Sequence, residues 1–212
     1  MPSELRISEE RARYWDRAYA ERGSRAVSWY QPGADVSLEL VAALGVGREA
    51  AVIDVGGGAS VFVDKLGERG FVDVSVLDVS EVALAESRRR LASSPAVQWL
   101  HEDILTWRPQ RRYDLWHDRA VLHFLVDAGD RAAYLGALRS AVCPGGFVVL
   151  ATFAPDGPNR CSGLPVERYS ASDLAELLGP SFVQLEARRE EHHTPGGRAQ
   201  PFTWVAGRLS AA

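Results

Sequence analysis

Cysteine is scarce in this sequence of 212 residues, and long apolar runs are missing from it. The two cysteines, Cys143 and Cys161, are too few for a disulfide framework or a zinc site. The longest apolar run, residues 147–154, has the length of a strand and falls short of the roughly 20 residues of a membrane helix. We therefore expect a protein of the reducing cytoplasm that has no metal site and does not enter a membrane.

A surplus of positive charge is missing as well, because the formal net charge is −4. The basic run at residues 88–90 lies close to Glu81 and Glu86, which is typical of a solvated helix face and not of a phosphate-binding surface. Residues 1–13 are charged and contain no apolar core, so we expect no signal peptide. Neither nucleic acid nor a membrane is an expected partner, and the oligomeric state stays open.

The composition is that of an ordinary globular protein, with 46% hydrophobic and 25% charged residues. From residue 51 onward, short apolar segments that resemble strands alternate with segments that resemble helices. This alternation predicts βαβ units and a mostly parallel sheet. The predicted strands are residues 51–55, 72–77, 97–100, 113–116 and 147–153, and the predicted helices between them are residues 60–68, 80–91, 119–126 and 130–141.

Both ends of the chain depart from the alternation. Two predicted helices, residues 9–21 and 35–44, precede the first strand. Residues 182–190 and 201–208 are predicted to form a hairpin around a turn at residues 194–197, which adds an antiparallel strand to the sheet. No linker or repeat interrupts the chain. We therefore expect one α/β domain over residues 1–212, in which residues 1–46 form a helical lid and residues 47–212 form the core.

Acidic residues and glycines follow three successive predicted strands. Asp54, Gly56 and Gly58 lie at the end of the first strand, where residues without a Cβ let the backbone approach a ligand. Asp78 ends the second strand and can accept hydrogen bonds from both hydroxyls of a ribose, while Asp103 follows the third and can accept from an adenine amino group. A tight turn, a helix cap and a surface carboxylate would each explain one of these features. Because ligands bind at this edge of an open parallel sheet, the three together favour a nucleotide site.

This order of motifs resembles that of the class I S-adenosylmethionine-dependent methyltransferases over almost the whole chain. Asp54, Gly56 and Gly58 match the family's acidic-x-Gly-x-Gly motif, and Ser60 stands where the family often has a third glycine. The resemblance implies S-adenosylmethionine as cofactor. It also implies a Rossmann-like α/β fold with helices on both faces of a mostly parallel seven-stranded sheet, of order 3-2-1-4-5-7-6 with strand 7 antiparallel. The cofactor-binding residues that we predict are Trp15, Trp29, Asp54, Gly56, Gly58, Asp78, Val79, Asp103 and Ile104.

Two other classes of protein stay open at this point. A dinucleotide-dependent dehydrogenase would need a glycine in place of Val61 to complete its Gly-x-Gly-x-x-Gly motif, and it is therefore the weaker alternative. A catalytically inactive cofactor-binding protein would carry the same nucleotide-site residues as an enzyme.

Polar residues are concentrated where the fourth predicted strand runs into the next predicted helix. We expect His117, Arg119 and His123 to act in catalysis, because a histidine can take a proton near neutral pH and an arginine can stabilise an anionic acceptor. Their spacing places Arg119 and His123 on one side of the predicted helix. The structural alternative is a capping ion pair between Asp118 and Arg119, with His123 in the core. The predicted substrate contacts are Tyr30, Arg160 and Cys161.

Within the family, several positions look like the thiopurine and small-thiol S-methyltransferase branch. These positions are Asp118 with Arg119 and Ala120, Asp130 with Arg131 and Tyr134, the Gly-Pro-rich loop after the fifth strand, and Tyr169, whereas Cys161, Ser162 and Gly163 depart from that branch. The resemblance implies that Trp15 and Trp29 help to enclose the cofactor. It also implies that a small-molecule nucleophile accepts the methyl group, with a thiol as one candidate. A generic N- or O-methyltransferase of a small molecule or protein side chain is the alternative.

Overall fold

A computed structural model of the protein describes residues 2–92 and 97–210, with only the backbone described for residues 2–7. In these ranges no helix combines the length and the apolar character that crossing a bilayer requires. The helices are α1 (Pro2–Arg22), α2 (Asp35–Ala43), α3 (Phe62–Glu68), α4 (Glu81–Arg90), α5 (Ala128–Ala141) and α6 (Ala171–Leu178). The strands are β1 (Val52–Val55), β2 (Val74–Asp78), β3 (Gln98–His101), β4 (Tyr113–Arg119), β5 (Val142–Phe153), β6 (Arg160–Cys161), β7 (Leu164–Pro165), β8 (Phe182–His193) and β9 (Ala199–Leu209).

Seven strands form one sheet in the order β3-β2-β1-β4-β5-β9-β8. The first five strands pair in parallel, so that Val52 of β1 lies between Val74 of β2 and Leu115 of β4. β9 runs antiparallel to both β5 and β8. Because β8 and β9 are the sixth and seventh strands of this sheet along the chain, the order confirms the predicted 3-2-1-4-5-7-6 arrangement and the predicted terminal hairpin. The short strands β6 and β7 pair only with each other.

The two faces of the sheet are covered by different helices. β1 and β2 are buried along their whole length, as is expected of apolar parallel strands between two layers of helices. One face packs against a cluster that includes Leu40 of α2 and Phe62 of α3. The other face packs against a cluster that includes Tyr134 of α5 and Leu174 of α6. Helices therefore cover both faces of the sheet.

Side-chain caps fix where several helices begin. Ser80 precedes α4 and accepts a hydrogen bond from the N–H of Ala83 at 3.1 Å. Asp127 precedes α5 and accepts from the N–H of Gly129 at 2.7 Å, and Ser170 begins α6 with a capping box. Since β2 ends only two residues before Ser80, the first of these caps also holds the end of β2 in place.

The prediction of a helix over residues 119–126 is wrong. β4 continues to Arg119, and a single 3-10 turn, Leu122–Phe124, follows it. The carboxylate of Asp118 accepts hydrogen bonds from the N–H of Val121, just before this turn, at 2.8 Å and from the N–H of Leu122, its first residue, at 3.1 Å. Ala120 has a φ of 78°, which an α-helix cannot contain. A capped turn thus takes the place of the helix, and Arg119 and His123 do not share a helix face.

Candidate active site

Two adjoining cavities lie at the carboxyl ends of the parallel strands, beneath α1 and the loop that follows it. The larger has a volume of about 350 Å³ and the smaller about 60 Å³. The larger cavity extends from Asp78, at the end of β2, and Asp103, after β3, to Arg119, at the end of β4, and Cys161 in β6. The residues that line both cavities are Tyr19, Trp29, Val55, Gly56 and Arg119.

The glycine segment after β1 forms the wall between the cavities. Gly56 has a φ of +69° and lines both of them, and this left-handed conformation favours glycine. Gly58 lines neither cavity, but a Cβ on it would lie 2.5 Å from Oδ2 of Asp78. Glycine at this position therefore leaves room for the Asp78 carboxylate. Asp54 lines only the smaller cavity and is buried.

Asp78 presents a buried carboxylate to the larger cavity. Its Oδ1 accepts a hydrogen bond from the N–H of Ser80 at 2.7 Å, whereas its Oδ2 accepts none from the described residues. Burial raises the pKa of Asp78 to about 7, and the charges of Asp54 and Asp16 add to this effect, while hydrogen bonds from the backbone oppose it. The group is therefore costly to ionise until hydrogen-bond donors reach its free oxygen.

Asp103 and Ile104 also line the larger cavity, and helix α1 contacts Asp103 directly. Arg11 of α1 donates to the Asp103 carboxylate at 3.0 Å, and Ser8 donates to it at 3.1 Å. The N–H of Leu105 donates to the same carboxylate at 3.0 Å. Arg11 was not predicted, because α1 carries five arginines and no pattern in its sequence shows which of them faces the site.

Aromatic side chains form much of the wall on the α1 side. Trp15 of α1 packs edge-on against Trp29 and Phe124, with ring centroids 5.6 and 4.9 Å apart. The indole N–H of Trp29 donates to the hydroxyl of Tyr19 at 3.2 Å. Val79 lines the larger cavity as well, whereas Tyr30 lines the smaller one. Tyr19 and Phe124 were not among the predicted residues.

Arg119 lies where the two cavities meet, with a buried guanidinium group. Its Nη1 donates to the backbone carbonyl of Trp29 at 3.0 Å, and its Cζ lies 4.5 Å from the centroid of the Phe202 ring. Its Nε and Nη2 are buried and have no hydrogen-bond partner in the described part of the chain. Burial lowers the pKa of Arg119 to about 10, which still leaves the group charged at neutral pH.

The two predicted catalytic histidines lie apart from the larger cavity. His117 lines the smaller cavity, and its two ring nitrogens are hydrogen-bonded to Asp54 at 2.7 Å and to Ser37 at 2.9 Å. His123 lines neither cavity and is fully buried against the rings of Phe124 and Phe153. Burial, together with the charge of Arg119, lowers the pKa of His123 to about 3.

The two predicted substrate contacts that follow β5, Arg160 and Cys161, lie in different surroundings. Cys161 is buried and lines the larger cavity, and its Sγ lies 4.0 Å from the hydroxyl of Ser28. Burial raises the pKa of the Cys161 thiol to about 11. Arg160 is exposed, lines neither cavity and donates to the carbonyl of Gly163. Asp118, which the structural alternative paired with Arg119, instead accepts from the hydroxyl of Tyr134 at 2.6 Å.

The residues around the larger cavity fit the nucleoside part of S-adenosylmethionine. The free Oδ2 of Asp78 is available to ribose hydroxyls, and donors at this oxygen would favour its ionised form. Gly58 leaves room for this carboxylate, whereas a Cβ on Gly56 would meet the side chain of Val121. A volume of about 350 Å³ is in the range of small-molecule sites.

Comparison with known proteins places the chain in a family. Residues 53–148 match the family model described as a methyltransferase domain. Trans-aconitate 2-methyltransferase of Methylobacterium radiotolerans is 35% identical over 193 residues, which cover 79% of this chain and 71% of that protein. The chain belongs to the class I S-adenosylmethionine-dependent methyltransferases.

Two further comparisons agree with this assignment. Thiocyanate methyltransferase 1 of Arabidopsis thaliana is 28% identical over 188 residues, which cover 85% of this chain and 78% of that protein. The crystal structure of the N-methyltransferase NodS from Bradyrhizobium japonicum in complex with S-adenosylhomocysteine matches with a TM-score of 0.71. That match has 16% identity and covers 92% of this chain and 98% of the other, so it supports the fold alone. Two other curated relatives are matched over only 58% and 51% of their own length.

Proposed function

We propose that the protein transfers the methyl group of S-adenosylmethionine to a small-molecule nucleophile bound in the larger cavity. The observation that carries the proposal is the continuity of this cavity. Asp78, at its nucleoside end, and Arg119 and Cys161, at its far end, border one space. A donor anchored at Asp78 and an acceptor held near Arg119 would therefore meet inside the protein.

Methyl transfer from a sulfonium is an in-line displacement. The acceptor's lone pair forms a bond to the methyl carbon, while the carbon–sulfur bond breaks and its electron pair stays on sulfur. The chain's own task is to orient the two molecules and to exclude water. Asp78 would hold the ribose. Trp15, Trp29 and Phe124, which pack together on the α1 side, would keep water from the reacting atoms.

The predicted catalytic residues have unequal support from their surroundings. Arg119 borders both cavities and remains our candidate for contact with the acceptor. Proton transfer by His117 stays a prediction, although both of its ring nitrogens already have partners in Asp54 and Ser37. Proton transfer by His123 stays a prediction as well, although its low pKa makes it a weak base.

A thiol is one candidate acceptor, and the similarity to the thiocyanate methyltransferase supports a sulfur nucleophile. Other relatives are named for different acceptors, among them trans-aconitate, and NodS is named an N-methyltransferase. Methylation of a nitrogen or an oxygen atom is therefore the alternative. A cofactor-binding protein without activity is the alternative from another class.

The test is release of S-adenosylhomocysteine from S-adenosylmethionine with a panel of small thiols, amines, phenols and carboxylates. We expect turnover with members of one chemical class. Asp78→Ala should weaken binding of S-adenosylhomocysteine by about 1–3 kcal/mol, because it removes charge-assisted hydrogen bonds. Asp73→Ala is the matched control, since Asp73 pairs with Arg111 on the surface, outside both cavities. Tight cofactor binding without turnover on any acceptor would favour the inactive alternative.

A further inference from the structure

The unpartnered nitrogens of Arg119 form one edge of its guanidinium group. Nη1, which lies on the same side as Cδ, is used by the carbonyl of Trp29. On the side of the guanidinium group away from Cδ, Nε and Nη2 each direct one N–H bond outward, and these two N–H bonds are parallel. Neither nitrogen forms a hydrogen bond with a described residue. This pair of parallel N–H donors matches the two oxygens of a carboxylate and binds it in a bidentate manner.

The nearby carboxylates of the protein have other partners. Both oxygens of Glu190 are used, by the side-chain amide of Gln31 at 2.7 Å and by the indole N–H of Trp204 at 2.8 Å. Asp118 accepts from Tyr134 and from the turn that follows β4. No ion pair of Arg119 is found among the described residues. The charge of Glu190 favours the charged form of Arg119, but burial outweighs it and lowers the pKa of Arg119 to about 10. A buried cation without a directly bonded counter-ion is unfavourable, and an anionic ligand at its free edge would reduce that cost.

Among the residues that the structure describes, the lining of the larger cavity contains no histidine or lysine. Its four carboxylates belong to β2, to the segment after β3 and to α5, whereas Arg119 and Cys161 come from β4 and β6; these carboxylates are Asp78, Glu102, Asp103 and Asp130. Cys161 has a raised pKa, and burial raises the pKa of Tyr19 further above its ordinary value, so both hold their protons at neutral pH. Amines, thiols and phenols carry a proton at that pH and need a base, whereas a carboxylic acid with a pKa of about 4 is already ionised.

We propose that the methyl acceptor is a small carboxylic acid, bound as its carboxylate by the Nε and Nη2 edge of Arg119. This inference rests on the proposed methyltransferase function. The arginine occupies one lone pair on each carboxylate oxygen and leaves a second pair on each. One of these forms the oxygen–methyl bond as the carbon–sulfur bond breaks, so the carboxylate becomes a neutral methyl ester and the sulfonium a neutral thioether. No proton moves, and the ester loses the charge that Arg119 holds, which favours its release.

The first test measures binding to the complex with S-adenosylhomocysteine. Benzoate, succinate and citrate are titrated by calorimetry into the wild-type complex, together with the uncharged benzamide and succinamide. We expect at least one carboxylate to bind and its amide to bind at least about tenfold more weakly. In Arg119→Gln and Arg119→Lys the preference for the carboxylate should be lost, because neither side chain offers the planar pair of donors.

Arg208→Gln is the matched control, because Arg208 also lies over an aromatic ring, that of Phe147, at 4.7 Å, but is exposed and outside both cavities. It should bind carboxylates as the wild type does. Thermal melting with S-adenosylhomocysteine establishes that each variant is folded, and the lysine variant serves if the glutamine variant is not. Absence of carboxylate binding to the wild type, or equal binding by the folded Arg119 variants, would overturn the proposal.

A second experiment tests whether Arg119 binds the acceptor or the carboxylate of the cofactor itself. Binding of S-adenosylhomocysteine is compared with that of 5′-methylthioadenosine, which lacks the amino-acid part. We expect the Arg119 variants to bind both nucleosides within about threefold of the wild type. A selective loss of S-adenosylhomocysteine binding would assign the arginine to the cofactor and contradict the proposal. Turnover of a thiol or amine that does not depend on Arg119 would reject the carboxylate acceptor and leave the methyltransferase function standing.

Discussion

At the residue scale, the carboxyl group of Asp78 couples ligand binding to pH. Its pKa is raised to about 7 in the folded protein, whereas an unfolded aspartate titrates near pH 4. The folded state thus keeps a proton that the unfolded state loses, so the contribution of this group to the free energy of unfolding decreases as pH rises from about 4 to about 7. Ribose hydroxyls donate hydrogen bonds and therefore favour the ionised form.

We predict that binding of S-adenosylhomocysteine releases a proton from Asp78 and becomes tighter as pH rises from 6 to 8. At pH 7 the release should approach about half a proton per site, because the group is then half protonated in the free protein. Calorimetry in two buffers of different ionisation enthalpy measures the release directly. Asp78→Asn is the control and should remove it, and proton release that persists in this variant would mean that another group is responsible.

The burial of His123 leads to a second prediction at this scale. The variant His123→Phe tests the predicted proton transfer by His123. Since His123 is fully buried and lines neither cavity, affinity for S-adenosylhomocysteine should stay within about twofold of the wild type, and turnover should fall only if the imidazole takes the proton. His123→Ala should lower the free energy of unfolding by about 2–4 kcal/mol, because it leaves a cavity between aromatic rings. Denaturant melts and steady-state kinetics check the two variants. A stable His123→Phe protein that binds the cofactor but does not turn over would support the catalytic role, whereas unchanged turnover would contradict it.

At the scale of elements, α1 is joined to the start of α4 by one carboxylate. Oδ1 of Asp16 accepts from the hydroxyl of Ser80 at 2.7 Å and from the N–H of Val82 at 3.1 Å. We predict that Asp16→Ala lowers the free energy of unfolding by about 1–2 kcal/mol, as loss of a helix cap does. Glu9→Ala on the same helix is the matched control, because the one partner of the Glu9 side chain in the described part of the chain is Arg13, in an exposed pair. Equal melting temperatures of the two variants would show that the contact contributes nothing.

Elements with a strong apolar period were predictable from the sequence, and those made by local side-chain bonds were not. The central strands and the terminal hairpin follow from apolar runs and turn residues. The turn after β4 escaped prediction because it depends on the carboxylate of Asp118, whose effect is visible only in three dimensions. α6 was predictable but missed, because Ser170 and Asp173 form a capping box and Ala171, Leu174 and Leu178 follow a helical period. The β6–β7 hairpin has only two residues in each strand, which is too short to show a period.

The candidate site was predictable to the extent that topology determines it. Asp78, Asp103 and Arg119 end or follow strands, so their location at the carboxyl edge follows from the fold, although their roles stay predictions. Arg11 and Tyr19 come from α1, whose rotation about its own axis no sequence period reveals. His117 and Arg119 alternate onto the same side of β4 and both line the smaller cavity, but only Arg119, at the end of the strand, also reaches the larger one. The predicted strand ended at Trp116, so this difference could not be foreseen.

At the scale of the whole molecule, we predict that turnover does not depend on a metal ion. The described residues contain no group of three His, Cys, Asp or Glu side chains placed to hold a cation. Dialysis against a chelator should leave the rate of S-adenosylhomocysteine formation unchanged, and addition of Mg²⁺ or Zn²⁺ should not raise it. Loss of turnover on chelation that a single divalent ion restores would contradict this.

The aromatic wall on the α1 side gives the molecule an optical property. Trp15 and Trp29 are half-buried beside the larger cavity, and the other four of the six tryptophans lie outside the linings of both cavities. A molecule that enters the larger cavity replaces water around two indole rings and leaves the surroundings of the others as they are. The intrinsic fluorescence of the unlabelled protein therefore contains a component that reports whether its cavity is filled.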